Sequence, residues 1–279
     1  MMKFYKYQGA GNDFLIADNR DGALSLTTEQ IASLCDRRYG VGADGLMLLE
    51  TSDKYDFKMT YFNSDGSGGM MCGNGGRCMV AFAADMGVTH FDFEAADGFH
   101  TAEVLSDAGG VKTVRLKMKD VTEVTGYEEL TGVSVKAEGY YLDTGTRHYV
   151  RLVQDLENYD VVGEGRHIRY HAQEFLPVGV NVNFIELKEG VLKVRTYEKG
   201  VEDETFACGT GIVASCVAAY RSGVSPSYLK EGRVRYDVQA KRDRLSVDFV
   251  QMGQDLYSDV WLTGPATFVA ELYVPEMNY

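Results

Sequence analysis

Two cysteines stand at the start of segments that have the composition of helices. Cys72 precedes Gly73-Asn74-Gly75, and Cys208 precedes Gly209-Thr210-Gly211. Glycines at a helix start let the backbone turn closely and leave first-turn amides uncovered. Those amides and the positive helix end stabilise an anion, so a cysteine there has a lowered pKa and is partly thiolate near neutral pH. For either cysteine by itself, the simpler interpretation is a small buried side chain.

The two segments repeat each other. Each runs from a strand through a polar loop to Cys-Gly-x-Gly, a helix of small residues and a terminating glycine. That glycine follows its cysteine by 15 residues in both, at Gly87 and Gly223. Upstream, Lys58–Asn63 resembles Lys193–Glu198 in strand character. The sequence therefore predicts two homologous halves, offset by the 136 residues between the cysteines, with a chance likeness of two glycine-rich helix starts as the alternative.

Two thiols in duplicated positions could carry out a reaction that a single thiol could not. Two similar halves facing each other would place thiols on opposite sides of a cleft, with both helix ends aimed at one carboxylate. Loss of a proton from the adjacent carbon spreads charge onto that carboxylate, where preorganised donors stabilise it. One sulfur would take the proton as thiolate while the other delivers a proton from the opposite face. The pattern predicts a racemase or epimerase that needs no metal and no cofactor.

Short alternating segments surround these helices and predict a β-rich chain of the α+β class. Thr27–Gln30 has the pattern of a capping box and predicts a helix start before Ile31. A further helix is predicted near Glu164–Phe175, and a domain boundary in the polar region Lys119–Gly132. The predicted strands are Lys3–Tyr7, Phe14–Ala17, Gly45–Leu49, Phe57–Asn63, Phe91–Ala95, Thr113–Met118, Tyr140–Leu142, Tyr149–Val153, Asn181–Leu187, Val191–Tyr197, Val234–Val238 and Leu245–Val250.

Composition limits the class of protein. The chain has 279 residues, 45% apolar and 25% charged, which suits about two globular domains and excludes disordered or fibrous classes. A net charge of −13 disfavours nucleic-acid or anionic-membrane partners. The uncharged run Phe206–Tyr220 is shorter than the roughly 20 residues of a membrane span. With no signal-peptide pattern and an odd number of cysteines, we expect free thiols and a cytoplasmic protein.

Motifs along nearly the whole chain resemble those of the diaminopimelate epimerase family. They occur in the family's order, which makes the resemblance stronger than any one of them. The motifs are Gly9-Ala10-Gly11-Asn12-Asp13-Phe14, Gly40-Val41-Gly42-Ala43-Asp44-Gly45, Phe62-Asn63-Ser64-Asp65-Gly66-Ser67, Met71-Cys72-Gly73-Asn74-Gly75-Gly76-Arg77-Cys78, Val180-Asn181-Val182-Asn183-Phe184, Tyr197-Glu198-Lys199-Gly200, Glu204-Thr205-Phe206-Ala207-Cys208-Gly209-Thr210-Gly211 and Gly264-Pro265-Ala266.

The resemblance implies a reaction and a site. The reaction is epimerisation of L,L-diaminopimelate to the meso form, a step toward lysine and peptidoglycan precursors, with Cys72 and Cys208 as the acid/base pair. His148 and Glu198 match residues that poise the thiols. The helix-end groups implied to bind the reacting carboxylate are Gly73, Asn74, Gly209 and Thr210. The other implied substrate-binding residues are Asn12, Asn63, Thr146, Asn181, Glu198 and Lys199.

The resemblance also implies the architecture. Each half would be a curved mixed β-sheet around a central helix, with the active site in the cleft between the halves. The C-terminal strand, here Thr267–Tyr273, would return to the first half. We therefore expect residues 1–118 with 264–279 to form the N-terminal half and 119–263 the C-terminal half.

Three departures lie where the family binds the distal end of its substrate. Thr146-Arg147 stands in place of Asn-Pro, Lys199 replaces an arginine, and one residue is inserted within Gly200–Glu204. A lysine offers a point charge where arginine offers a bidentate fork. These changes bear on substrate identity and leave the chemistry at the cysteines untouched.

Other interpretations fit the residues less well. Gly9-x-Gly11 resembles a dinucleotide fingerprint, but Phe14 occupies the third glycine's place. His148 with one cysteine could form an acyl-transfer site, which would leave the duplication unexplained. Two alternatives remain open: a related racemase with another amino-acid substrate, and a non-catalytic amino-acid-binding protein of the same fold. We expect a small amino-acid ligand and a monomer or homodimer.

Overall fold

The computed structural model describes residues 1–133 and 138–275. The chain divides into two compact units: unit 1, Met1–Leu116 with Gly264–Tyr279, and unit 2, Lys117–Thr263. The predicted domain ranges include residues 134–137 and 276–279, which lie outside the described residues. Both units combine mixed sheets with two α-helices each, which confirms the predicted α+β class.

Unit 1 has one helix on each face of its sheet. Strands β1 and β2 pair antiparallel, β2 and β3 parallel, β3 and β4 antiparallel, and β4 and β5 parallel. Helix α1 closes a core on one face, while α2 is almost wholly buried against β1, β2, β3 and β6. The elements are β1 (Met2–Gly9), β2 (Asn12–Asp18), α1 (Thr28–Cys35), β3 (Gly45–Glu50), β4 (Phe57–Asn63), α2 (Gly73–Asp85), β5 (Asp92–Ala95), β6 (Gly98–Ala108) and β7 (Val111–Lys117).

Unit 2 follows the same plan. Two 3-10 turns, Leu156–Asn158 and Gln173–Phe175, flank its first helix. The other elements are β8 (Val124–Tyr127), β9 (Gly139–Asp143), β10 (Arg147–Leu152), α3 (Val161–His171), β11 (Asn181–Lys188), β12 (Val191–Glu198), β13 (Asp203–Thr205), α4 (Gly209–Arg221), β14 (Tyr228–Lys230), β15 (Arg233–Gln239), β16 (Arg244–Gln251) and β17 (Tyr257–Val274).

The connectivity of unit 2 repeats that of unit 1. Strands β9 to β12 pair antiparallel, parallel and antiparallel in turn, as β1 to β4 do, and β12 pairs parallel with β15 as β4 does with β5. Helix α4 lies after its fourth strand, as α2 does, and packs on β9, β10, β11, β12 and β16. The predicted internal repeat is confirmed, and α2 and α4 are the equivalent central helices.

The chain passes between the units in β7 and β17. The first part of β17 pairs with β16, and the part from Gly264 pairs with β7 and with β1. The predicted C-terminal strand Thr267–Tyr273 lies within β17 and pairs with β1 in unit 1. None of the helices in the described residues is both long and apolar enough to cross a bilayer.

Sequence patterns missed four of the strands. β8, β13 and β14 are only three or four residues long, too short for alternation to be read. Strand β6 is longer, but it is mostly exposed, so its residues do not alternate between apolar and polar types. The capped start of α1 is confirmed: Thr27 and Gln30 form both hydrogen bonds of a capping box.

Candidate active site

Cys72 and Cys208 occupy the same structural position in their units. Each is the N-cap residue of the central helix, with extended backbone, and the helix begins at the next residue, Gly73 or Gly209. The helix-start position that the sequence predicts for both thiols is therefore also their position in the fold. At a helix N-terminus the dipole and first-turn amides favour a thiolate.

Accessibility separates these two thiols from the other three. All five cysteines are free, and Cys72 and Cys208 are half-buried. Burial raises the pKa of Cys35 to about 11, and it raises the pKa of Cys78 and Cys216 above the ordinary thiol range. These three thiols are neutral core side chains, while the N-cap pair can meet a ligand.

In unit 1, the backbone of α2 contacts the Cys72 sulfur directly. The Gly75 amide donates to Sγ over 3.3 Å, and the Gly76 amide donates to the Cys72 carbonyl over 2.8 Å. A Cβ on Gly75 would lie 3.3 Å from that sulfur, so the glycine lets the chain pass close to it. A negative sulfur here would accept the same amide hydrogen bond more strongly.

A chain of hydrogen bonds connects Asn12 to the same helix end. Asn74 Nδ2 donates to Asn12 Oδ1 over 3.4 Å, and the Asn12 amide donates to the Asp44 carboxylate. The fully buried Arg77 donates to Asn74 Oδ1 over 2.9 Å and to the Gly73 carbonyl over 3.2 Å. The structure thus brings Asn12, Gly73 and Asn74 together around the start of α2.

Asn63 is placed differently. It ends β4, and its side chain donates to Ser67 Oγ over 3.0 Å within the following turn. In the sheet it pairs with Gly45 of β3. Asn63 is therefore held by its own turn and by the sheet.

In unit 2, the Cys208 sulfur lies 3.4 Å from Thr210 Oγ1. Thr210 Oγ1 lies 3.0 Å from His148 Nε2 and 3.1 Å from Thr146 Oγ1. Thr144 also donates to the Thr210 carbonyl over 2.9 Å, which docks the loop before β10 on the helix start. Thr146, His148, Cys208 and Thr210, all predicted site residues, are brought together here.

Asn183 fixes which nitrogen of His148 carries the proton. Its amide Nδ2 donates to the Tyr149 carbonyl over 3.2 Å, and its Oδ1 accepts from Thr196 over 2.9 Å. The same Nδ2 lies 3.1 Å from His148 Nδ1, so that nitrogen must accept. Burial lowers the pKa of His148 to about 3. The imidazole is neutral, with its proton on Nε2 facing the threonine hydroxyls.

The predicted distal-end residues form a second cluster in unit 2. Asn181 Oδ1 accepts from the Lys199 amide over 2.9 Å, while Nδ2 donates to the Arg147 carbonyl over 3.0 Å and reaches Thr146 Oγ1 at 3.4 Å. Asn181 thus connects the start of β10 to the residue that follows β12. Burial raises the pKa of the adjacent Glu198.

The segment Gly200–Glu204, within which the sequence predicts one inserted residue, is anchored to α3. Glu202, at φ 60°, accepts from Arg169 over 2.7 Å and from Tyr170 over 2.8 Å. Residues Asp203–Thr205 then return along β12 as β13. The segment therefore makes an ordered turn next to Lys199.

Several residues of these networks were missed by sequence reasoning. Arg77 and Asp44 lie inside the family motifs but were not predicted as site residues, and Asn183 shares a strand face with Asn181 two residues earlier. The partners of Asp44 and Asn183 come from other strands, which the local pattern does not reveal. Arg77 bonds within its own helix, to Gly73 and Asn74. Within the described residues, no three His, Cys, Asp or Glu side chains are arranged to hold a metal ion.

A family model and named relatives identify the family of the chain. The family model described as diaminopimelate epimerase matches residues 4–122 and 140–269. Diaminopimelate epimerase from Chlorobaculum tepidum is 43% identical, covering 94% of this chain and 96% of that protein. The Flavobacterium psychrophilum enzyme of the same name is 41% identical, covering 97% of this chain and 99% of that protein. Among solved structures, a Bacillus anthracis phenazine biosynthesis protein of the PhzF family has the same fold, with TM-score 0.72 and 16% identity over 99% of each chain.

Proposed function

The chain belongs to the diaminopimelate epimerase family, and from this premise we propose that it interconverts L,L- and meso-diaminopimelate with Cys72 and Cys208 as its two proton-transfer groups. The observation that carries the proposal is the position of these thiols. They cap equivalent central helices and are half-buried, while the other three cysteines lie in the cores.

The proposed reaction removes one proton from the α-carbon of the substrate and adds another to the same carbon. A thiolate takes the proton from the α-carbon, and the electron pair of that C–H bond delocalises into the neighbouring carboxylate. The second thiol then gives its proton to the opposite face of the same carbon, which inverts the centre. First-turn amides of α2 and α4, at Gly73-Asn74 and Gly209-Thr210, are the donors for the charge that develops on the carboxylate.

The contacts around Cys208 support its part in this exchange. Since His148 carries its proton on Nε2, it donates toward Thr146 and Thr210, and the Thr210 hydroxyl is left to donate to Sγ. A chain of donors ending at sulfur stabilises a thiolate and weakens when the sulfur is protonated. His148 would then act as a positioning donor, and Glu198 as a half-buried carboxyl whose pKa is raised by burial.

The cluster around Asn181 supports recognition of the distal amino-acid group. The exposed side chains of Arg147 and Lys199 lie on segments that Asn181 holds together, and both are cations suited to a second carboxylate. Asn12 and Asn63 would bind from unit 1. We further propose a cytoplasmic monomer or homodimer, supported by five free thiols.

Deuterium incorporation tests the proposal. The protein is incubated in D2O under reducing conditions with L,L-diaminopimelate and, separately, with a panel of common amino acids. We expect deuterium at the α-carbon of diaminopimelate alone, with formation of the meso isomer. Cys72→Ala and Cys208→Ala should each lower the rate by about 1,000-fold, and the control Cys35→Ala should retain it.

Each other outcome selects an alternative. Exchange into a different amino acid would keep the two-thiol chemistry but make the protein a racemase of another substrate. Binding of an amino acid without exchange into any of them would identify a non-catalytic binding protein.

A further inference from the structure

Tyr61 lies on the face of β4 that packs toward α2. Its cross-strand partner Met47 and its neighbour Phe14 both approach Gly75 of α2, at 3.5 Å and 3.6 Å from where a Cβ would be. The Tyr61 and Phe14 rings meet edge to face, with centroids 6.1 Å apart. Because alternate residues of a strand share a face, Asn63 projects to the same side. Tyr61 therefore adjoins the unit 1 site, although the proposed mechanism does not use it.

Two glycines make room for the Tyr61 ring. A Cβ on Gly45 would lie 2.4 Å from ring atom Cε2 and 2.8 Å from the hydroxyl oxygen. A Cβ on Gly69 would lie 2.2 Å from Cδ1 and 2.4 Å from Cε1. No side chain tolerates such distances, so the ring needs glycine at both positions to lie where it does. Held between two backbones, the phenol has little freedom left to lose when a ligand binds.

Gly45 leaves a gap in a row of polar side chains. It pairs with Phe14 of β2 on one side and with Asn63 of β4 on the other. Asn12, two residues before Phe14, shares the face of β2 that meets α2, as its hydrogen bond with Asn74 shows. Strand β3 thus supplies no side chain between the two asparagines. The Tyr61 hydroxyl fills that gap, next to the missing Cβ.

The hydroxyl is available to a ligand. Within residues 1–133 and 138–275, Tyr61 Oη has no hydrogen-bond partner, and the side chain is only partly buried. Burial and the nearby negative charge of a Cys72 thiolate raise the pKa of the phenol, so it stays protonated at physiological pH. An unpaired phenol in such a site is a hydrogen-bond donor.

We propose that the Tyr61 hydroxyl is a specificity-determining donor that binds a carboxylate oxygen of the substrate between Asn12 and Asn63. The inference rests on the proposed function, which supplies the dicarboxylic diamino acid. A phenol suits this place because it is neutral, rigidly held and donates to a carboxylate. The proton that moves in the reaction stays with the cysteines.

Tyr61→Phe removes the hydroxyl and keeps the ring between the glycines. For L,L-diaminopimelate we expect KM to rise about tenfold, the loss of one hydrogen bond to a charged group. We expect kcat to change by less than about threefold, because uniform binding is lost and transition-state stabilisation is kept. The ratio of variant to wild-type KM should stay constant from about pH 6 to about pH 9, since a neutral donor does not titrate there. Tyr55→Phe, at an exposed ring that meets Phe99 at a tilt of 38°, is the matched control.

The outcomes separate the two proposals. If wild-type protein does not epimerise diaminopimelate, the proposed function fails, whatever Tyr61 does. If wild-type protein is active and Tyr61→Phe leaves KM unchanged, the inference is overturned and the function stands. A fall in melting temperature together with kcat would also overturn it, because Tyr61 would then act through packing alone.

Discussion

His148 shows how one residue's surroundings set its chemistry. The side chain is fully buried and held on both ring nitrogens, by Asn183 on one side and threonine hydroxyls on the other. A neutral histidine with its proton on Nε2 cannot take a proton at that nitrogen. It can only donate, which restricts it to organising Thr146 and Thr210 beside Cys208.

This burial makes His148 a source of acid sensitivity. Its pKa is about 3 when folded and about 6.5 in an unfolded chain. The folded pKa is depressed, so the stabilisation is complete above about pH 6.5 and is lost as pH falls toward about 3, at about 1.4 kcal/mol per pH unit. We expect His148→Gln to flatten the dependence of the urea midpoint on pH between about 6.5 and about 4.

Circular dichroism during urea titration at a series of pH values measures this effect. His90→Gln, at an exposed histidine, serves as the control and should keep the wild-type slope. Equal slopes for wild type and His148→Gln would show that His148 does not contribute to the acid sensitivity.

At the scale of elements, α2 and α4 begin alike but have different surroundings. Asn12 and Asn74 are hydrogen-bonded in unit 1, and His148 and Thr210, at the same 136-residue offset, are hydrogen-bonded in unit 2. The repeated strand–helix contact is thus preserved while its chemistry differs. At the start of α2 the contact joins two side-chain amides, and at the start of α4 it joins an imidazole and a hydroxyl.

The third residues of the two helices give a matched test of this difference. A Cβ on Gly211 would lie 2.5 Å from Asn183 Oδ1, whereas one on Gly75 would have Cys72 Sγ as its nearest neighbour, at 3.3 Å. We expect Gly211→Ala to destabilise the protein by about 1–3 kcal/mol through overpacking. Gly75→Ala should change stability by less than about 1 kcal/mol, because helix propensity offsets the tighter contact. Urea unfolding measures both, and similar losses in the two variants would contradict the expectation.

At the scale of the whole molecule, the chain passes from unit 1 to unit 2 after Leu116 and back after Thr263. Asp259 anchors the first crossing within unit 2. Its carboxylate accepts from Lys117, from Arg233 of β15 and from Trp261 Nε1, the last over 2.8 Å. One carboxylate therefore connects residues from β7, β15 and β17.

The cations hold the pKa of Asp259 below its usual range. The stabilisation by Asp259 is therefore present above about pH 4 and is lost as pH falls below that value.

Because the Asp259 side chain is more than a third exposed, we expect Asp259→Asn to lower the free energy of unfolding by only about 1 kcal/mol at pH 7. The cost should shrink toward about pH 2. Thermal unfolding at pH 7 and at low pH tests this against Asp53→Asn, at an exposed loop position; a cost that does not depend on pH would contradict it.

Sequence patterns were enough to predict most of the elements and the internal repeat. Phe57–Asn63 was predicted with the bounds that β4 has, and Cys72 and Cys208 were predicted at helix starts where the structure has N-caps. These features depend on local properties: side-chain period along a strand, and glycines that let a helix begin directly after a cysteine. The same local pattern, repeated at a constant offset, was enough to indicate two halves.

Which side chains meet depends on the tertiary fold. Asp44 reaches Asn12 because β3 lies beside β2, Asn183 reaches His148 because β11 lies beside β10, and Tyr61 leans across Gly45 because β4 lies beside β3. Each of these contacts joins residues from different strands, and strand order and register fix them. The spacing of residues within one strand does not specify which strand pairs with it, because the same alternation of side chains is compatible with many neighbouring strands. The tautomer of His148 and the place of the Tyr61 hydroxyl follow from packing across the sheet.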